Sequence, residues 1–327
     1  MVSIIIVNWN GERFLHDCFN SLSGQIFKDF EIIFVDNFST DSSLPLAKRL
    51  SSHLNLDVKF IGLDKNRGFA GGSNEGLKYS SRQYIALLNT DTVAEKDWLK
   101  NLVEAMGAHL DVGICASKLI VAGENLIDSA GDGYSTFGHA FKRGEGSLPQ
   151  DFSEQEHIFG ACAGAALYRR EMIKQIGLFD EDFFLIFEDT DLNFRTQLSG
   201  WKCLYVPKAL VYHKVGGSMK NLSDMAAYYS VRNDKLVKIK NIPLPIIIFK
   251  MPGLILGEII WFIYYIINGK FKFYLKANID VLKSLPLYLK KRCEIKKLKK
   301  VSNGYINSLL TSGFKLYNFR RIKRYLA

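Results

Sequence analysis

The first 90 residues alternate short apolar segments with segments of helical periodicity, and this pattern limits the possible folds more than any other feature. Runs rich in β-branched residues predict four strands, at residues 2–7, 31–35, 58–61 and 84–88. Apolar residues at helical spacing predict a helix at 12–22, residues 41–54 predict a second, and 68–79 predict a glycine-rich turn that runs into a third. Such alternation predicts βαβ units, and therefore an α/β fold with a mostly parallel sheet flanked by helices.

Polar side chains follow three of the four predicted strands directly: Asn8 and Asn10, Asp36 and Asn37, and Asn89 and Asp91. A single polar residue after a strand is usually a turn residue or a helix cap. Ligands of open α/β sheets, however, bind beyond the carboxyl ends of the strands. Three such clusters in one sheet therefore predict a binding site at that edge.

The rest of the chain divides at a change of composition near residue 241. Residues 112–151 are glycine-rich and predict loops and a hairpin, 171–176 predict a short helix, and 201–211 predict a strand. We predict a main domain at 1–240, with halves at 1–110 and 111–240, and a helical extension at 241–327.

The charge is distributed unevenly, and the cysteines are scattered. The chain carries a formal net charge of +10, yet from residue 270 onward 16 Lys and Arg stand against only two acidic residues. A basic tail of this kind suits nucleic acid, anionic lipid or solubility. The five cysteines form no CxxC pair, which indicates a reducing compartment and no zinc site. The N-terminal sequence lacks the features of a signal peptide and predicts a cytosolic start.

Residues 243–267 are the most apolar stretch of the chain. Lys250, Pro252 and Glu258 interrupt it, so the charge-free pieces are shorter than the roughly 20 residues that a membrane span needs. We favour an interfacial hairpin or amphipathic helix, with a spanning helix and a buried core helix as alternatives. The basic residues at 290–300 favour contact with anionic lipid. Removal of the chain after residue 239 is then expected to release the protein from membranes.

Acidic residues cluster at one place in the second half. Glu188, Asp189 and Asp191 lie within four residues, directly after an apolar segment. Like charges this close raise at least one pKa, and such clusters are often functional. The alternative is an acidic helix N-terminus, and both can hold together. His213 follows a predicted strand and is either a structural residue or a metal ligand.

Six ordered sequence blocks resemble the family 2 glycosyltransferases. The first four are SIIIVNWNG, VDNFSTD, NRGFAGGSNEG and LLNTDT, which are similar to the nucleotide-binding half of that family. The segment from Gly160 to Lys202 and the block VYHKVGGS resemble the acceptor half of its rhamnosyltransferase-like branch. The resemblance covers roughly residues 2–235. It implies a GT-A fold and an inverting, single-displacement transfer of a sugar.

The resemblance also implies a role for each motif residue in binding the donor. Asp36 would hold the nucleobase, with Asn10, Asn66 and Asn74 beside the donor. Asn89-Thr90-Asp91 falls where the family has its DxD motif, with Asn89 in place of the first acid. Asp91 would then bind a divalent cation, Mg²⁺ or Mn²⁺, and His213 matches a late His that completes the metal site.

The same resemblance assigns the acid–base chemistry to the acidic cluster. Asp189 matches the second residue of the family's ED pair and is the candidate general base. Glu188 is its neighbour, and Asp191 is the second candidate for the role. The small residues at 160–164 would let backbone approach the donor sugar or the acceptor, although close packing explains them equally well.

The implied substrates follow from the branch. The favoured donor is deoxythymidine-diphosphate rhamnose, with a UDP-sugar as the alternative, and the acceptor is a saccharide or lipid-linked saccharide of cell-surface polysaccharide synthesis. We expect a cytoplasmic protein attached peripherally to the inner face of the cell membrane, with a single spanning helix as the lesser alternative. No nucleic-acid partner is expected.

Two other hypotheses fit part of the sequence. One is a non-catalytic membrane- or nucleic-acid-binding protein that uses the basic tail, although the folded half lacks an aromatic–basic RNA platform. The other is a nucleotidyltransferase, but residues 8–13 do not supply the basic, glycine-rich pyrophosphate loop that it would need. The enzyme hypothesis requires Asp36, Asp91, Asp189 and His213 to converge, and it fails if Asp91 and Asp189 lie on opposite faces of the sheet.

Overall fold

The first part of the chain is an alternating α/β unit in this computed structural model, which describes residues 1–214 and 223–316. All four predicted strands and all three predicted helices are present, with bounds that differ by a few residues. A short strand and a fourth helix follow them. In order, the elements are β1 (Val2–Asn8), α1 (Glu12–Ser23), β2 (Phe30–Asp36), α2 (Ser43–His53), β3 (Val58–Gly62), α3 (Gly68–Lys78), β4 (Tyr84–Leu88), β5 (Thr92–Ala94) and α4 (Trp98–Ala108).

The second part is richer in strands than its sequence predicts. The glycine-rich stretch at 112–151 contains a ten-residue strand that is almost entirely buried, so its prediction as loop and hairpin is wrong for this strand. Short 3₁₀ helices lie at Pro149–Phe152 and Glu181–Phe183. The other elements are β6 (Val112–Val121), β7 (Ile127–Ser129), β8 (Asp132–Ser135), β9 (Ala140–Lys142), β10 (Glu156–Ile158), β11 (Ala165–Arg169), α5 (Arg170–Ile176), α6 (Glu188–Leu198) and β12 (Lys202–His213).

The central sheet is mixed rather than mostly parallel. Its strand order is β10-β12-β6-β11-β4-β1-β2-β3, with β5 and β7 paired to β12 and β6. The strands β1 to β4 are parallel as predicted, but β11 runs antiparallel to both β4 and β6. Ala165 therefore lies opposite Leu88, at the point where β4 ends. This reversal brings the loop before β11 to the carboxyl edge of the parallel strands.

Helices cover the sheet on both faces. One core layer joins the sheet to α1, α2 and α4, and Trp98 and Phe19 are fully buried within it. The other layer packs α3, α5 and α6 on the opposite face, with Met172 and Leu192 fully buried. Each such large apolar side chain contributes about 1.5–3 kcal/mol on burial. The core on both faces holds the strand ends rigidly in place.

The predicted helical extension packs against the second half. It follows α7 (Ser223–Asn241), which lies almost entirely within the predicted main domain. The elements of the extension are α8 (Leu244–Ile267), α9 (Phe271–Leu298), α10 (Asn303–Ser308), β13 (Leu310–Thr311) and α11 (Gly313–Leu316). The α9 helix packs on α6 and α7, and β13 pairs with β8 to form a second, three-stranded sheet with β9. The predicted domain boundary after residue 240 falls one residue before α7 ends.

The most apolar stretch is a single helix, α8, with Pro252 inside it, and α8 forms a helical hairpin with α9. Among the described residues, α8 alone is long and apolar enough to cross a membrane by length and composition. Only 11% of its most apolar 18-residue window is buried, which does not fit the alternative of a buried core helix. Residues 215–218 of the block VYHKVGGS lie outside the described residues.

Candidate active site

The carboxyl ends of β1 and β2 form the first part of the site. Asn8 and Asp36 lie opposite each other in the strand register, and Asn8 Nδ2 donates to Asp36 Oδ1 at 3.3 Å. Ser39 N donates to Asp36 Oδ2 at 3.2 Å. Asn10, in the left-handed region at φ 53°, accepts from Thr40 N at 2.8 Å. These bonds hold the two loops together, and Asp36 lies at their junction.

Asn66 and Asn74 occupy different surroundings. Asn66 Oδ1 accepts from Asn37 Nδ2 at 3.0 Å and from Gly68 N at 2.8 Å, so Asn66 belongs to the edge that carries Asp36. Asn74 donates to Phe179 O at 2.9 Å and accepts from Phe179 N at 3.1 Å. These two bonds tie α3 to the loop after α5. We therefore assign Asn74 a structural role in place of the predicted donor contact.

The loop after β4 faces the end of β12. His213 pairs with Thr92 in the ladder between β12 and β5, which places its ring beside the Asp91 side chain. His213 Nε2 lies 3.5 Å from Asp91 Oδ1, and His213 Nδ1 lies 2.8 Å from Asp128 Oδ2. Lys142 Nζ in turn donates to Asp128 Oδ1 at 2.7 Å. The predicted pair Asp91 and His213 is thus in contact, and Asp128 is an additional member that the sequence did not indicate.

The electrostatics of this group follow from its partners. Burial disfavours the His213 imidazolium, but hydrogen bonds to Asp128 and Asp91 outweigh burial and raise the pKa of His213 to about 9. Burial opposes ionisation of Asp128 as well, yet His213 and Lys142 hold the pKa of that carboxyl below its usual range. Without a cation, the imidazolium therefore bridges two carboxylates.

The same residues suit a divalent cation. A carboxylate oxygen and an imidazole nitrogen 3.5 Å apart can both reach one ion at bond lengths of about 2.1 Å. A metal-binding His usually donates its other ring N–H to a carboxylate, the position that Asp128 occupies. No group of three or more His, Cys, Asp or Glu side chains that could hold a metal is found in residues 1–214 and 223–316. A cation here would therefore need phosphate and water to complete its coordination, as Mg²⁺ commonly does.

A second carboxylate group lies at the start of α6. Asp189 Oδ2 accepts from Ala163 N at 3.3 Å, and Asp189 Oδ1 accepts from Thr190 N at 2.7 Å. Glu188 and Asp132 are buried near it, and Asp132 is held by Asn193 Nδ2 at 3.4 Å. The sequence did not indicate Asp132, which begins β8.

Burial raises the pKa of all three carboxyls in this group. For Glu188 and Asp132 the rise is large, because the negative charge of Asp189 adds to the effect of burial. For Asp189, hydrogen bonds from Ala163 N and Thr190 oppose the rise. Asp189 is therefore the member that keeps its charge most easily, as a general base must.

The Asp191 carboxylate forms ion pairs and a hydrogen bond inside the protein. Its side chain is fully buried between Arg195 Nε and Lys240 Nζ, each at 2.8 Å, and it accepts from Asn241 Nδ2 at 2.8 Å. Burial opposes its ionisation, but Lys240 and Arg195 hold the pKa of Asp191 well below its usual range. A carboxylate stabilised this strongly as an anion is a poor proton acceptor, so we assign Asp191 a structural role and not that of a second candidate base.

Asp189 and the loop after β4 bind neighbouring residues of one segment. Ala163 N donates to Asp189, while Asn89 N donates to Gly164 O at 2.9 Å. Asp91 follows Asn89 by two residues, so Asp91 and Asp189 lie at the same edge of the sheet. A Cβ on Gly160 would lie 2.1 Å from Asn193 Cγ, so close packing accounts for that glycine.

The α3 helix links the sheet edge that carries Asp36 to the segment that precedes Asp189. Asn37 Nδ2 donates to Gly68 O at 3.0 Å, and Ala70 N donates to Phe184 O at 3.1 Å. Phe184 lies a few residues before Asp189. Asp36, Asp91, Asp189 and His213 are thus all placed at the carboxyl edge of the sheet, with Asn74 and Asp191 engaged in packing beside it.

Comparison with known proteins identifies the family. The sequence model described as "Glycosyl transferase family 2" matches residues 3–177, more than half of the chain. The chain belongs to glycosyl transferase family 2. It is therefore a glycosyltransferase, and the sequence-based prediction of the family and of the GT-A fold is confirmed. The rhamnosyltransferase-like branch stays a prediction.

Two sequence relatives and one solved structure of similar fold are the following. An uncharacterized glycosyltransferase of Haemophilus influenzae is 25% identical over 73% of this chain and 72% of its own length. The poly-beta-1,6-N-acetyl-D-glucosamine synthase of Staphylococcus epidermidis is 24% identical over 67% of this chain, which spans about half of that protein (52%). The structure of a mannosyltransferase from Pyrobaculum calidifontis in complex with GDP-Man and Mn²⁺ matches with a TM-score of 0.57 at 14% identity, over 91% of this chain and 85% of that one.

Proposed function

We propose that this family 2 glycosyltransferase transfers a sugar from a nucleoside-diphosphate donor with inversion, using Asp189 as general base. One shared segment carries this assignment. Asp189 accepts from Ala163 N, while the loop that carries Asp91 is bonded to Gly164. The candidate base and the candidate diphosphate site are thereby held on either side of two consecutive small residues, where a sugar can lie between them.

The chemistry follows from these positions. The acceptor hydroxyl oxygen attacks the anomeric carbon, the bond from that carbon to the diphosphate oxygen breaks, and the hydroxyl proton passes to Asp189 Oδ2 or Oδ1. The nucleoside diphosphate leaves with the bonding electron pair. Because the hydroxyl attacks the face opposite the leaving group in a single displacement, the anomeric configuration inverts. Asp91 and His213 would hold Mg²⁺ or Mn²⁺, which would neutralise charge on the diphosphate. Asp36, with Asn10 and Asn66 nearby, would hold the nucleobase end.

Sequence resemblance and a structure of similar fold bear on the identity of the donor. The second-half sequence blocks favour deoxythymidine-diphosphate rhamnose, whereas the mannosyltransferase that shares the fold holds GDP-Man with Mn²⁺. A poly-beta-1,6-N-acetyl-D-glucosamine synthase is among the sequence relatives, which favours a saccharide or lipid-linked acceptor in polysaccharide synthesis. UDP-sugars remain the alternative donors.

The test is a panel of nucleotide sugars assayed for hydrolysis and transfer with and without Mn²⁺. We expect one donor to be turned over with release of the nucleoside diphosphate, dependent on the cation, and NMR of the product to show an inverted anomeric centre. Retention of configuration would refute the mechanism. Full turnover in excess chelator would refute the cation site while leaving the base assignment open to test.

We further propose that the α8–α9 hairpin lies on the surface of an anionic membrane. One face of α8 contacts the protein, where Glu258 pairs with Lys235 and with Lys238 at 2.6 Å. The opposite face and a stripe along α9 are apolar and exposed. Their residues include Ile248, Phe249, Ile255, Ile259, Ile263, Leu275, Ile279, Leu282 and Leu289.

The charges near this apolar surface favour an interfacial position over a spanning one. Glu258, inside α8, is ion-paired with α7, which a helix surrounded by lipid would not allow without a large cost. Lys272, Lys276, Lys283 and Lys290 are exposed along α9. Lys291 and Arg292 of the basic segment instead bond within the protein, to Asp180 and to Ile239 O. The exposed lysines suit anionic headgroups at the cytoplasmic face.

Cosedimentation with vesicles tests this surface. We expect binding to phosphatidylglycerol-containing vesicles, weakened by salt and by Ile259→Glu or Leu282→Glu, and unchanged by the control Leu110→Glu on a distant exposed leucine. Equal loss in the control would refute the assigned surface. Resistance of the membrane-bound protein to alkaline extraction would instead establish a spanning helix.

A further inference from the structure

A turn with unusual backbone geometry precedes the candidate base. Phe184 has φ 64° and ψ −64°, Ile186 has φ 66°, and Phe187 has φ 70° with ψ 3°. Large or β-branched side chains rarely adopt positive φ, because the Cβ atom crowds the backbone there. Three such residues within four positions need outside support to persist. Asp189 follows this turn by two residues, so the path of the turn sets where its carboxylate lies.

The support comes from one side chain on α7. Asn233, fully buried, donates from Nδ2 to the backbone oxygens of Phe183 at 2.8 Å, Leu185 at 2.9 Å and Ile186 at 2.8 Å. Its Oδ1 accepts from Arg232 Nη1 at 2.8 Å. The same guanidinium nitrogen donates to Asp182 O at 2.8 Å. Both N–H groups of this carboxamide thus bond the turn, and its oxygen accepts from Arg232.

We propose that Asn233 is a positioning residue for the transfer reaction, acting through the turn at residues 183–187 to hold Asp189 in its reactive place. This inference rests on the proposed role of Asp189 as base. The hydrogen bonds of Asn233 go to the turn and to Arg232, so Asn233 acts by fixing the carbonyl groups of the turn. An amide is required, because a carboxylate at this place would face three carbonyl oxygens without a proton to donate.

The primary test is Asn233→Asp, a swap of nearly equal shape that removes the amide donors. We expect kcat to fall about 100-fold, the scale of a small misplacement of a catalytic group. The dissociation constant of the nucleotide donor should stay within about twofold, since the donor edge is built from other elements. Asn233→Ser keeps one hydrogen-bond donor and is the milder variant if Asn233→Asp does not fold. Its kcat should lie between that of the wild type and that of Asn233→Asp.

A matched control separates positioning from general destabilisation. Gln25 is another fully buried carboxamide, with Nε2 donating to Ser21 O and Glu95 O at 3.0 and 2.9 Å, and it joins α1 to the segment after β5 without a hydrogen bond to the turn at 183–187. Gln25→Glu should lower the melting temperature as Asn233→Asp does, yet leave kcat of the folded protein near the wild-type value. An equal loss of kcat in both variants, or full kcat in folded Asn233→Asp, would overturn the inference.

The double variant Asn233→Ser with Asp189→Asn distinguishes this inference from the proposed function. If Asn233 acts through Asp189, its replacement should cost little further rate once the carboxylate is gone. Additive losses would show that Asn233 acts by another route. An active Asp189→Asn variant would refute the base assignment itself, whereas an inactive one beside a fully active Asn233→Asp would refute only the positioning role.

Discussion

Replacing Asp189 by Asn removes the candidate base with the least change of shape. The amide oxygen can keep the bond from Thr190 N, now 2.7 Å long. The amide nitrogen then faces Ala163 N, which donates to Oδ2 at 3.3 Å in the native chain. The variant therefore loses one hydrogen bond to a charged acceptor, worth about 1.5–3 kcal/mol, and also removes the cost of burying a charge. Since these effects oppose each other, we expect a small change in melting temperature.

The effect on turnover should be far larger. General base catalysis by a positioned side chain contributes about 10²- to 10⁴-fold, which corresponds to roughly 2.7–5.4 kcal/mol of barrier at 1.36 kcal/mol per factor of ten. Donor binding should be almost unaffected, because the hydrogen bonds of Asp189 go to Ala163 and Thr190 and none reaches the edge that carries Asp36.

The assay pairs two measurements on the same protein. Release of nucleoside diphosphate in the presence of acceptor gives kcat, and calorimetric titration of the donor gives its dissociation constant. Asp111→Asn, an exposed carboxylate paired with Lys202 at the other edge of the sheet, is the matched control. A loss of kcat below tenfold, or loss of donor binding together with turnover, would refute the assignment of Asp189 as base.

Four further predictions concern Asp128, the stability and the acid sensitivity that Asp191 provides, and truncation of the chain. Asp128→Asn should raise the Mn²⁺ concentration needed for half-maximal activity about 10- to 100-fold, since Asp128 orients the His213 ring; an unchanged metal titration would contradict this. Asp191→Asn breaks a buried ion pair and should lower the free energy of unfolding by about 3–5 kcal/mol in urea titrations. Because the folded pKa of Asp191 is lowered, its stabilisation is complete above the unfolded pKa of about 3.9 and lost as pH falls further; an acid-insensitive urea midpoint would count against it. Truncation after Ile239 removes Lys240 and Lys291, so we now expect loss of folding and activity as well as of lipid binding; an active, soluble fragment would contradict this.

The sequence located the parallel half of the fold well, because each strand there is a continuous apolar run between helices of clear periodicity. It missed β6, where Gly113, Ser117 and Lys118 interrupt the apolar pattern. Burial of that strand is decided by its pairing with β11 and β12, which are distant in the chain. The antiparallel direction of β11 has the same origin. Local pattern does not contain such long-range pairings, so it could not predict the mixed sheet.

The lack of long-range information in the sequence also explains which residues of the candidate site were predicted and which were missed. Asp36, Asp91 and Asp189 stand next to strand or helix ends that the sequence makes visible, and all lie at the carboxyl edge of the sheet. Asp128 and Asp132 belong to two short strands in a glycine-rich stretch, where an acid is normally a turn residue. The pairing of β7 with β6 brings Asp128 to the site, and a backbone bridge with Gly160 brings Asp132 there. The spacing of Asp128 and Asp132, four residues apart, was the one feature of the sequence that could have indicated these two site residues.

The turn before Asp189 also indicates a second role for the C-terminal helices, which is to stabilise that turn. Each of its three residues at positive φ costs about 1–3 kcal/mol, so the turn stores roughly 3–9 kcal/mol that its surroundings must offset. The offset comes from α7, through Asn233, and from α9, whose Lys291 pairs with Asp180 and Asp182 at 2.6 and 2.7 Å just before the turn. Both helices lie beyond residue 177, where the family match ends. The matched part supplies the edge where Asp36 and Asp91 lie, but the candidate base Asp189 follows a turn that we expect to relax without α7 and α9. We therefore expect a chain that lacks α7 and the extension to lose the position of Asp189 as well as the proposed contact with a membrane.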